Sequence, residues 1–65
     1  MLIKWYKRNG RYYDLSKILS FEIHRHDIGG ILFNGYTENR VMIQFLYNDE
    51  KEFKRLLRLL GVREL

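Results

Sequence analysis

The final stretch, NDEKEFKRLLRLLGV over residues 48–62, most restricts what the chain can fold into. Phe53, Leu56, Leu57 and Leu60 recur at i, i+3, i+4 and i+7, which is one apolar stripe of a helix. Both ends of that helix are marked. Asp49 is suited to the N-cap and Glu52 to closing a capping box. Acidic residues crowd the first turn, and Lys54, Arg55 and Arg58 follow, which complements the helix dipole. Gly61 suits the position just past the end, with Val62 folding back onto Leu57. The spacing predicts a helix over 50–60 with Leu59 at the edge of the stripe. A lone amphipathic helix must bury its stripe against something. Everything before it reads as strand, so the partner is a sheet.

Strand-like segments rich in Ile, Phe, Val and Tyr cover residues 2–7, 11–15, 19–27, 31–36 and 40–47, with turn residues between them. At 65 residues the chain is expected to be one domain, residues 1–65, near the size where one core barely suffices. It has no cysteine, hence no disulfide and no thiolate metal site. A dense core, or association with another chain, must supply the stability.

Turn length decides which side chains face that core. In WYKRNGRYYD, residues 5–14, a two-residue turn at Asn9-Gly10 sets Trp5 opposite Asp14 and Lys4 opposite Leu15, mixing polar with apolar on one face. A three-residue loop, Arg8-Asn9-Gly10, instead pairs Ile3 with Leu15, Trp5 with Tyr13, Tyr6 with Tyr12 and Lys4 with Asp14. Matching character favours the three-residue loop. Similar loops at Ile28-Gly29-Gly30 and Thr37-Glu38-Asn39 pair Phe33 with Arg25 on one side and with Ile43 on the other, Asn39 taking the left-handed conformation. The expected core face then carries Ile3, Trp5, Tyr13, Leu15, Leu19, Phe21, Ile23, Ile31, Phe33, Val41, Ile43, Phe45 and Tyr47.

The resulting fold class is α+β: a five-stranded antiparallel meander, strongly twisted or curled into a half-barrel, with the C-terminal helix packed on one face. In strand order and final helix, and in those alone, it resembles a shortened pleckstrin-homology-like half-barrel. No motif in the chain transfers a binding site from that family, and such folds serve many functions.

The face away from the helix holds the functional candidates. Tyr6, Tyr12, Leu32, Tyr36, Met42 and Leu46 lie there among polar residues, and an apolar patch of that kind marks a partner surface. The leading expectation is a non-enzymatic protein-interaction module, binding a protein partner or a second copy of itself, in the style of a small bacterial or phage regulator or inhibitor. The alternative is nucleic-acid binding through Lys4, Tyr6, Lys7, Arg8, Arg11 and Tyr12, rings for bases and cations for phosphates. The net charge of +4 permits an anionic partner without requiring one. A third reading is a small ribonuclease with His24 or His26 as general base. His24, His26 and Glu22 share a strand face but fall short of the four ligands of a closed zinc site, so neither metal nor cofactor is expected. The N-terminus has no long apolar run, so no signal peptide or membrane span is expected, and the absence of cysteine fits the cytoplasm.

Overall fold

The computed structural model describes residues 3–62. Five strands and a helix follow in order: β1 (Trp5–Arg8), β2 (Arg11–Asp14), β3 (Ile18–Arg25), β4 (Ile31–Thr37), β5 (Met42–Tyr47) and α1 (Glu50–Leu60). The strands do not form one sheet. β1 and β2 make a two-stranded hairpin, and β3, β4 and β5 make a separate three-stranded antiparallel sheet. The break falls at a 3-10 turn, Leu15–Lys17, capped by Asp14, whose Oδ1 accepts from the Ser16 amide at 3.0 Å and the Ser16 hydroxyl at 2.6 Å. β1 begins at Trp5, later than the predicted strand, whose first residue, Leu2, lies outside the described residues.

The first hairpin closes with two residues, not three. Trp5 pairs with Asp14, Tyr6 with Tyr13, Lys7 with Tyr12 and Arg8 with Arg11. Asn9 and Gly10 both have positive φ, 52° and 78°, which a two-residue turn matched to strand twist requires and which Asn-Gly supplies at least strain. The odd shift exchanges the two faces of β1. Tyr6, expected outside, is only 8% exposed, and Trp5, expected in the core, is 62% exposed.

The later turns keep three residues but move along the chain. Phe33 pairs with Ile23 and Phe45, and Ile31 with Arg25 and Tyr47. The loops are therefore Asp27-Ile28-Gly29 and Glu38-Asn39-Arg40, closed by His26 donating to Gly30 O at 2.8 Å and Thr37 to Val41 O at 3.0 Å. Arg40, not Asn39, takes the left-handed φ of 62°. Each register moves by two, so the faces of β4 and β5 survive. At the start of β3 the pairing skips Leu19, an extra residue between Ile18–Thr37 and Ser20–Tyr36. This bulge turns Leu19 outward and Ile18 inward, correcting the expected inward Leu19. Gly35 makes room for Ile18: a Cβ there would lie 3.1 Å from both Ile18 Cδ1 and Phe33 Cε1. Ile3 and Val41, also expected in the core, are exposed because they lie beyond the ends of the strands, and Ile23 is borderline.

The core fills the space between the three-stranded sheet on one side and the hairpin with α1 on the other. Phe33, Phe45, Tyr47, Ile31, Tyr6, Leu15, Phe53, Leu56 and Leu57 are buried. Aromatic rings run through it: Phe21 stacks on Phe33 at 5.2 Å, and Phe45 meets Tyr13 and Tyr6 edge-on at 4.9 and 5.4 Å. Asp49 caps α1 by accepting from the Lys51 amide at 2.9 Å. Gly61 at φ 79° ends it, with Val62 donating to Leu57 O at 2.9 Å. The Glu52 carboxylate, expected to close the capping box, instead accepts from Arg8 at 3.1 Å.

Candidate functional site

The outer face of the three-stranded sheet is ordered in rows. Cross-strand pairing sets His24, Leu32 and Leu46 in one row, Glu22, Asn34 and Gln44 in the next, and Ser20, Tyr36 and Met42 in the third. The middle row is polar, and Gln44 Nε2 donates to Asn34 Oδ1 at 3.0 Å. Glu22 accepts from the Tyr36 hydroxyl at 2.9 Å, which holds that phenol above its usual pKa because the neighbouring carboxylate disfavours a phenolate. Two apolar pairs flank the amide row: Leu32 with Leu46, and Tyr36 with Met42. Leu32 and Tyr36 are half-buried, while Met42 and Leu46 remain 51% and 56% exposed. Four of the six expected partner-binding residues thus share one surface.

The other two do not join them. Tyr6 is in the core, where its hydroxyl and that of Tyr47 lie 2.6 Å apart. Tyr12 projects from the far side of the hairpin, 64% exposed, on the face that carries Trp5 and Lys7. Trp5 and Tyr12 line an open slot of about 430 Å³, and the Lys7 ammonium sits 5.7 Å from the Tyr12 ring centroid. Trp5, expected in the core, is thus a surface residue, and the Asn-Gly pair, which favours a two-residue turn, is the sequence signal for it.

The expected nucleic-acid set is likewise divided. Lys4 donates to Leu59 O at 3.0 Å, at the end of α1. Arg8 lies with its guanidinium carbon 3.9 Å from the Tyr47 ring centroid, donating to Glu52 and to the backbone oxygen of Leu46. Its Nε is buried with no partner among the described residues. Tyr6, Lys4 and Arg8 are therefore engaged in holding the fold. Lys7, Arg11 and Tyr12 remain exposed, and Trp5 joins them.

His24 Nε2 approaches Glu22 at 3.7 Å, and both side chains are about half exposed. His26 lies past the end of β3, in the turn. Among the described residues no cluster of three or more His, Cys, Asp or Glu is disposed to hold a metal ion. Arg25 grips both oxygens of Glu50, at 3.0 and 2.9 Å, which holds that carboxyl below the ordinary glutamate range.

The sheet ends on β3 at one edge and on β5 at the other, and it is the β5 edge that faces the hairpin. The Thr37–Val41 bond makes 37/41 a bonded pair, so 35/43, 33/45 and 31/47 are bonded as well, and the amides and carbonyls of Met42, Gln44 and Leu46 turn away from β4. Arg8 takes the Leu46 oxygen. Among the described residues the backbone groups of Met42 and Gln44 have no partner on that side. They border a groove of about 420 Å³ lined by Arg11, Tyr12 and Tyr13 from β2 and by Val41, Met42, Ile43 and Gln44. Among the described residues no helix is long and apolar enough to cross a membrane. No family model, curated protein or solved structure matches the chain.

Proposed function

We propose that the chain is a small, non-enzymatic protein-interaction module of the cytoplasm, acting on a protein partner, or on a second copy, through the outer face of the three-stranded sheet. The observation that carries this reading is the pair of exposed side chains Met42 and Leu46, each paired across strands with a half-buried apolar neighbour. A solvated sheet face ordinarily alternates to polar residues, and this one keeps two apolar pairs, Leu32 with Leu46 and Tyr36 with Met42. The order of hairpins followed by a terminal helix, in which the chain resembles a pleckstrin-homology-like half-barrel, suits a scaffold that presents a sheet rather than encloses a substrate.

Met42→Glu and Leu46→Glu test it. Both positions are open to water, so the variants are expected to keep the native circular dichroism spectrum and to lose the partner that wild type captures, or the dimer that wild type forms in sedimentation. Folded variants that bind as wild type does overturn the reading.

A second reading rests on a different observation: Trp5 and Tyr12 stand exposed on one hairpin face with Lys7, whose ammonium lies 5.7 Å from the Tyr12 ring centroid. Rings beside cations are what single-stranded nucleic acid needs. Oligonucleotide binding that weakens steeply with salt and is lost in Trp5→Ala supports it, and no binding at low ionic strength ends it.

A further inference from the structure

We propose that the free edge of β5 at Met42–Gln44 receives an extended acidic segment of a partner protein as an added antiparallel strand. This rests on the protein-interaction reading above and names the partner's chemistry. An edge strand with outward amides and carbonyls is a template for one kind of ligand, another extended backbone. Met42 and Gln44 each turn one N–H and one C=O into the groove, and the ladder to β4 uses none of these groups. The seat has a defined stop, because at Leu46 the guanidinium of Arg8 already takes the carbonyl.

The surroundings select the side chains of the incoming strand. Arg11 is the one charged residue lining the groove among the described residues. Lys7 stands on the adjoining hairpin face, and Arg40 in the turn before β5. A second copy brings a further +4 to a chain already at +4, whereas Asp or Glu meets opposite charge at Arg11. An apolar residue is accommodated at the Tyr12 end, where the groove continues into the slot shared with Trp5; at the other end Val41 leads into a hollow of about 500 Å³ lined also by Leu19, Lys17 and Glu38. The ligand is therefore an extended segment in which acidic and apolar residues alternate.

Gln44→Pro is the decisive variant. It deletes an amide that points away from β4, so the sheet is retained, as proline on an edge strand permits. Gln44→Ala is its control, since it loses the side-chain bond to Asn34 and keeps the amide. The probes are fluorescein-labelled peptides of about eight residues: alternating Glu and Val, the same with Lys for Glu, the same with N-methyl groups on alternate residues, and a copy of residues 40–47. Anisotropy is expected to show the Glu–Val peptide binding wild type and Gln44→Ala alike, and Gln44→Pro about tenfold or more weaker. The Lys–Val and N-methylated peptides are expected to fail, and the 40–47 copy to bind less well than Glu–Val.

Equal binding to a folded Gln44→Pro, equal binding of the Lys–Val peptide, strongest binding of the 40–47 copy, or no binding of any probe overturns the proposal. Leu46→Glu separates this outcome from failure of the sheet-face reading. A protein partner that binds Gln44→Pro normally and is lost by Leu46→Glu removes the added strand and keeps the sheet face, and one indifferent to both variants removes both.

Discussion

The hairpin β1–β2 and the sheet β3–β4–β5 are held to the same core by different means. The sheet contributes a continuous inner face, Ile31, Phe33, Phe45 and Tyr47, joined by backbone ladders and ring stacking. The hairpin has strands of only four residues and no ladder to the sheet. It is held by Tyr6 and Tyr13 against Phe45, by the Tyr6–Tyr47 hydroxyl pair and by Arg8 stacked on Tyr47. A small unit with little hydrocarbon to bury is thus fixed by a few rings whose polar ends are satisfied, and those bonds are worth most because water is excluded from them.

Phe45→Ala should be the most damaging change, because Phe45 is the ring that both units share. A loss of about 3–5 kcal/mol is expected in denaturant unfolding. A loss near 1 kcal/mol would mean that the hairpin docks independently of it.

Tyr47→Phe comes next. It removes one hydroxyl and leaves the buried Tyr6 hydroxyl without its partner, at a cost of about 1–3 kcal/mol. The double variant Tyr6→Phe with Tyr47→Phe should cost less than the single one, since neither buried hydroxyl is then stranded. The same pair gives an alkaline signature. Burial and the bond to Tyr6 raise the Tyr47 pKa far above the ordinary tyrosine value. The stabilising contribution is therefore fully present below pH about 10 and lost as the pH rises beyond it, at about 1.4 kcal/mol per pH unit. Unfolding curves at pH 9 to 11 should show that slope in wild type and a shallower one in Tyr47→Phe.

The smallest effect is local. Gly10→Ala places a side chain at φ 78°, with open space around it, so the cost is backbone strain alone, about 1 kcal/mol. It should loosen amide protection in β1 and β2 while leaving β3–β5 unchanged in hydrogen exchange.

The same contrast explains how much of the fold was legible in the sequence. In β4 and β5 the bulkiest apolar side chains, Phe33, Phe45 and Tyr47, share one parity, and both registers move by two, which leaves every side chain on its own face even though the loops sit one residue later or earlier than expected. In the hairpin the pattern misleads. Pairing like with like favours Trp5 opposite Tyr13, yet the outer face of a unit docked by only two rings is free to mix Trp5 with Asp14 and Lys7 with Tyr12. Turn chemistry decides there, and Asn-Gly is the stronger signal. Leu19 was unreadable for another reason: nothing in the residue types of Ile18-Leu19-Ser20 marks which one a bulge will expel. The apolar pairs of Leu32, Tyr36, Met42 and Leu46 were visible because they lie on strands whose parity held, whereas Tyr6 was lost to the core together with the parity of β1.

Arg8 has one more consequence. The sequence of β5, Met-Ile-Gln-Phe-Leu-Tyr, is six uncharged residues without proline or glycine, the composition of segments that stack into fibrils. Such stacking copies a strand along its whole length, chain upon chain. Here every arriving chain meets a guanidinium seated on Leu46, tied to Glu52 and lying on the Tyr47 ring, and must dislodge it before the last residues can zip. One arginine therefore occupies the end of the exposed strand edge, and a strand copied along β5 stops at Leu46 unless that side chain moves away.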